Sequence, residues 1–225
     1  MSWERDKDRD RDRDRRRGEG EARGYHHGNL REALIRAALE LIAGRGTSGF
    51  TMAEAARAAG VSPAAPYRHF RDREALLGEI ARQGFERFEA ALLEAWDGGK
   101  PDPRTALERL GREYLAFARK DYAVYSVMFE AAVPADQSPA LHLAADRALG
   151  VLRTACEALT AQLPAGKRPP ALMMALHIWA MSHGVASLFG RSDAGRRILP
   201  MPAEQLLEAG VLVYLQGLGL GSPGK

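Results

Sequence analysis

The sequence predicts an all-α fold, and three observations predict it. Apolar residues recur every three or four positions along most of the chain, capping residues stand ahead of those runs, and glycines close them. No stretch shows convincing strand alternation. With 225 residues and 46% hydrophobic content, the chain can fill one large core or two small ones.

Residues 1–24 form an Arg/Asp tract with almost no apolar content, so they are expected to be a disordered, solvated tail. Asn29 with Glu32, and Thr51 with Glu54, have capping-box spacing. The first marks a helix carrying Leu30, Leu34, Ala38, Leu41 and Ile42, stopped at Gly44 and Gly46. The second opens the run TMAEAARAAGVSPAAPYRHF over residues 51–70. Here Ala55, Ala56 and Ala59 keep one helix thin, and Gly60 offers the positive φ of a tight turn. Val61 is expected as the apolar plug, with Ser62 capping a second helix whose first position is Pro63. Tyr67, Arg68 and His69 are expected to be exposed, and Phe70 to anchor the end.

Asp72 precedes a longer series, Leu77, Ile80, Phe85, Phe88, Leu92 and Trp96, which ends at Gly98-Gly99. Asp102-Pro103 and Ser138-Pro139 each place a capping oxygen before a proline at the first helical position. Behind them run Leu107, Leu110, Tyr114 and Phe117, then Leu141, Ala145, Ala148, Leu152, Cys156, Leu159 and Leu163. Residues 171–189 and 204–218 are apolar nearly all the way round. A helix without a polar face must be buried on two sides. These two are expected to pack inward on their own core and outward on a second copy across a two-fold axis. The reading is about nine helices: a three-helix segment over 25–73, then a helical bundle over 74–225.

Charge separates the same segments. Residues 25–73 carry seven Arg against four acidic residues, whereas 74–225 carry sixteen basic against seventeen acidic. The tract before them nearly cancels, nine against eight. The positive excess therefore points residues 25–73 at a polyanion. A lone Cys156 excludes an intramolecular disulfide and suits a reducing cytoplasm. The N-terminus lacks the apolar stretch of a secretory signal, and the run from Ala171 to Phe189 is interrupted by His177, Ser182 and His183, so no membrane span is expected.

The residues Thr51 to Ala56, Ala59-Gly60-Val61-Ser62, Tyr67-Arg68-His69-Phe70, Arg73 and Leu76 resemble the signature of the TetR (tetracycline-repressor-like) family of transcription regulators. The resemblance implies an N-terminal helix-turn-helix on double-stranded operator DNA and a C-terminal domain that dimerises and binds a small-molecule effector. It also implies phosphate contacts from Thr51, Tyr67 and Arg73, with Met52, Pro63, Ala64, Ala65, Arg68 and His69 on the side facing base edges. The small apolar residues among these suit thymine methyls, and Arg68 suits guanine. The sequence departs from the family at Ala55, at Ala64 and most of all at Pro66, where an inward aliphatic is expected. Pro66 has no N–H to donate, so an irregular start to the reading helix is expected.

Trp179 and His183-Gly184 resemble the "WHG" subclass of the same family. Trp179 and His183, four apart, share a helix face, where hydrogen-bonded packing is favoured over ligand contact; Gly184 would allow close helix approach. Phe117, Tyr122, Tyr125, Met128, Phe129, Met173 and His177 are the candidate lining of an effector pocket, suited to a largely apolar ligand. The family implies release of DNA by a ligand-driven population shift. No metal spacing, nucleophile–base pair or phosphate loop is recognisable, so neither catalysis nor a cofactor is expected. The competing reading is a helical small-molecule carrier or enzyme with no role on DNA.

Overall fold

Capping chemistry sets the helix starts. The computed structural model describes residues 30–131, 138–189 and 200–220. The tail and the Asn29 cap lie outside these. Thr51 and Glu54 form the reciprocal box: Glu54 N–H donates to Thr51 Oγ1 at 3.3 Å, and Thr51 N–H donates to Glu54 Oε2 at 2.8 Å. Asp102 accepts from the backbone N–H of Arg104 and Thr105, and Ser138 from that of Leu141, each with proline at the helix start. Among the described residues there are eight α-helices and no strand.

The chain divides into two compact units, one ending at Arg73 and the other beginning at Glu74. The first unit contains α1 (Leu30–Arg45), α2 (Met52–Ala58) and a 3-10 turn (Ala65–Arg68). Gly60, at φ +73°, ends α2 in the left-handed region; its N–H donates to Arg57 O and that of Val61 to Ala56 O. That pair of bonds satisfies two carbonyls the helix would otherwise leave open. Ala55 and Ala56 are fully buried, which gives α1 its close approach.

Where a ninth helix was expected, the chain winds as 3-10. Neither Pro63 nor Pro66 can donate, and a proline disfavours the α conformation of the residue before it. The surviving bonds are mostly the shorter kind: Ala65 N–H to Ser62 O at 3.0 Å and His69 N–H to Pro66 O at 2.9 Å. No side chain caps this turn, so the expected Ser62 cap does not form. Val61 is only half-buried, whereas Pro66 and Phe70 are buried, so the plug is Pro66. Its ring takes the inward place expected of an aliphatic.

The second unit is a helical bundle: α3 (Arg73–Trp96), α4 (Pro103–Lys120), α5 (Tyr122–Glu130), α6 (Pro139–Thr160), α7 (Ala171–Phe189) and α8 (Ala203–Gly217), with only the first residue of α3 belonging to the first unit. Strongly amphipathic α4 is its hub, touching α5, α6, α7 and α8. Gly84 lets α5 lie directly on α3, because a Cβ there would come within 2.8 Å of Met128 and Val124 side-chain atoms. The two apolar helices are each buried on one side only. In α7, Met174, Ala175, Ile178, Ser182, Val185 and Ala186 face inward while Leu172, Met173, Leu176 and Leu188 stay exposed. On α8 the exposed large apolar side chain is Val213. Among the described residues α7 is the one helix long and apolar enough to cross a membrane by length and composition.

Candidate functional site

The first unit gathers the residues singled out for DNA. Tyr67, Arg68 and His69 stand exposed on the 3-10 turn, Tyr67 at 58%, with Pro63 and Ala64 exposed ahead of them and Ala65 half-buried. Buried Pro66 and Phe70 fix the turn from beneath, and the Arg31 guanidinium lies 5.3 Å from the Phe70 ring centre. Thr51 is exposed at the α2 start. Hydrogen bonds from the Thr51 backbone and hydroxyl hold the Glu54 carboxyl below the usual carboxylate range, and Arg45 pairs with it at 2.9 Å.

Two of the candidates are placed otherwise. Met52 is buried, 6% exposed, among the apolar side chains of the unit, so it cannot present itself to a base edge. Its position one residue after the cap turns it inward with Ala55 and Ala56. Arg73 is part-buried and committed to the loop before α2: Nε donates to Phe50 O at 3.1 Å, Nη2 donates to Thr47 O, and the guanidinium lies 4.8 Å from the Phe50 ring centre. Arg73 thus orders the approach to Thr51. Arg73→Ala is expected to lower unfolding stability by about 1.5–3 kcal/mol in urea denaturation, since charged hydrogen bonds to backbone are lost. A variant of full stability that binds DNA more weakly would return Arg73 to the phosphate role.

In the second unit the aromatic candidates form a packed cluster. Phe88 lies 4.8 Å from Phe117 and 5.1 Å from Tyr114 between ring centres; Phe129 lies 4.8 Å from Tyr125. Trp179 meets Phe88, Tyr114 and Phe129 edge-on. Tyr125 Oη lies 2.7 Å from His183 Nδ1 and 3.2 Å from Tyr114 Oη, a polar relay inside the cluster. Burial pushes the Tyr125 phenol up to about 12 and that of Tyr114 still higher. His183 is therefore a hydrogen-bonded packing residue, and Trp179 packs through its ring contacts. Gly184 differs: it is exposed, and a Cβ there would meet nothing within 4 Å.

The seven pocket candidates do not line one cavity. Phe117, Tyr122, Tyr125 and Phe129 fill space in or beside the cluster, and Met128 is spent against Gly84. Met173 and His177 lie on the exposed face of α7, where His177 Nδ1 is 3.0 Å from Tyr214 Oη of α8. Between α4, α7 and α8 lies a cleft of about 90 Å³ that none of the seven borders. Sequence reasoning missed it, because its mouth looks like an ordinary charged surface. Gly111 in mid-helix was the available signal. Among the described residues no group of three His, Cys, Asp or Glu could hold a metal ion.

Burial lowers the His183 pKa, outweighing the field of Glu130. The unfolded chain then takes up this proton more readily, so the sign is that stability is full above the unfolded value of about 6.5 and falls as pH drops below it. Thermal unfolding followed from pH 7.5 to 5.5 should show this loss, and His183→Gln should flatten it. An equal pH slope in both proteins would contradict the relay.

Comparison with known proteins covers both units. The model of bacterial regulatory proteins of the tetR family matches residues 34–80, and that of the tetracyclin repressor-like C-terminal domain matches residues 107–214, together more than half of the chain. The HTH-type transcriptional regulator BetI of Rhizobium meliloti (strain 1021) is 51% identical over 47 residues, 21% of this chain; the match spans only 23% of that protein. A solved protein of unknown function from Rhodococcus sp. RHA1 superposes with a TM-score of 0.70 at 29% identity, over 86% of this chain and 97% of its own. AibR, solved in complex with isovaleryl coenzyme A and operator DNA, shares the fold at a TM-score of 0.64 and 23% identity, over 82% of this chain and 97% of its own. The exposed turn over a buried proline in the first unit, the helical bundle of the second and these matches agree: the chain belongs to the tetR family of bacterial regulatory proteins, as a transcriptional regulator with a DNA-binding helix-turn-helix.

Proposed function

We propose that the chain is a cytoplasmic repressor that binds a specific operator as a homodimer and releases it when a small, largely apolar molecule occupies its second unit. The observation that carries the DNA reading is the exposed row Pro63, Ala64, Tyr67, Arg68 and His69 above buried Pro66 and Phe70. That row lies in the segment holding the chain's positive excess. Phosphate contacts fall to Thr51 and Tyr67, which position the turn without reading sequence. Base contacts fall to Pro63, Ala64, Ala65, Arg68 and His69, with apolar contact to thymine methyls at the first three and a guanine for Arg68.

The dimer is supported by the uncovered apolar faces of α7 and α8 and is typical of the family. Effector release is supported by the AibR complex, whose ligand and DNA are that protein's own. Arg68→Ala should cost about 1–3 kcal/mol of operator binding and relax the preference at one base pair. Tyr67→Phe should weaken every duplex alike. Unchanged affinity and unchanged salt dependence in both variants would defeat this assignment.

A further inference from the structure

The cleft between α4, α7 and α8 has an apolar floor and a charged mouth. Leu107 and Leu115 of α4, Ile178 of α7, and Leu207, Val211 and Leu215 of α8 form the floor. Gly111 keeps it open: a Cβ there would stop 3.3 Å from Leu207 Cδ2, so any larger side chain would fill the space. A glycine weakens a helix at such a position, yet this one sits in the middle of the hub helix. The volume of about 90 Å³ equals about six to nine waters at 10–15 Å³ each, room for a tail of about six carbons.

Five charged side chains surround the mouth, and their pairing is uneven. Glu108 lies 3.7 Å from Arg104 and 3.9 Å from Arg112, one carboxylate serving two guanidiniums. Glu204 is paired with Arg119. Glu208 forms no ion pair with the described residues, although it lines the same mouth. With Arg119 included, three carboxylates face three guanidiniums, and Glu208 on α8 is the carboxylate whose charge no ion pair among the described residues takes up.

We propose that this cleft binds a small amphipathic cation of the alkylammonium class, with its tail on the leucine floor and its ammonium group at Glu208. Both helices forming the far wall carry the exposed faces Leu172, Leu176 and Val213, so an occupant bears directly on the elements of the dimer seam. This regulatory consequence rests on the function proposed above; the binding site itself does not.

The test is calorimetric titration of the full chain, without DNA, using n-hexylammonium and n-hexanoate as probes. One hexylammonium should bind per chain while hexanoate does not. Gly111→Leu should abolish binding. Glu208→Lys, on an exposed helix position, should leave the fold intact and reverse the preference, so that hexanoate becomes the better ligand. Absence of hexylammonium binding, equal binding of the two probes, or amine binding that survives Glu208→Lys unchanged would overturn the proposal. Intact, charge-selective binding in a chain that shows no duplex preference would uphold the site and reject the operator reading instead.

Discussion

Leu176→Asp is expected to yield a folded monomer whose operator affinity falls by at least about a hundredfold, the equivalent of about 2.8 kcal/mol. Leu176 is 49% exposed in the single chain, as are Leu172 and Met173 on α7 in similar degree, and Val213 on the adjoining α8 is 67% exposed. Large apolar side chains clustered in this way mark an interaction surface. Across a two-fold axis each residue meets its own partner surface, so one substitution introduces two carboxylates into an apolar seam. The cost falls on association and spares the fold, because the side chain is not part of the core. Light scattering and operator titration of the same sample check it. A Leu176→Asp protein that remains dimeric would place the seam elsewhere.

The second large effect is in the core. Phe88 of α3 is fully buried where Tyr114 and Phe117 of α4 meet Trp179 of α7. Phe88→Ala should cost about 3–5 kcal/mol, the sum of lost transfer energy and an unfilled cavity. Phe88→Leu retains most of the volume and should cost markedly less. Since α3, α4 and α7 all lean on this ring, the alanine variant should also lose the His183–Tyr125 relay and its pH dependence. Denaturation of the two variants in urea measures both effects. A loss under about 1 kcal/mol for Phe88→Ala would mean the cluster is loosely packed.

Much of the fold was legible because its signals are local. Thr51, Asp102 and Ser138 cap helices through atoms three residues away, and Gly60 ends α2 through its own φ. The exposed Tyr67, Arg68 and His69 were equally readable, since alternation with Pro66 and Phe70 fixes which side faces out. Long-range packing was not legible. Arg73 reaches carbonyls 23 and 26 residues back, a partnership that no spacing rule anticipates. Met52 turns inward for the same kind of reason. The aromatic residues of α4 and α5 have the composition of a pocket wall but sit too close together to leave one. The cleft between α4, α7 and α8 is bordered by Gly111, whose missing side chain matters because Leu207 is opposite. Two prolines three positions apart gave notice of an irregular turn, though not that the whole reading element would be 3-10.

Selection of duplexes from a random pool with the full chain puts the regulator account most directly at risk. An inverted repeat should emerge, its half-sites about 34–36 Å apart, bound by two chains and preferred at least about a thousandfold over random competitor at physiological salt. Enrichment of no sequence, with a single chain binding all duplexes alike, would contradict it.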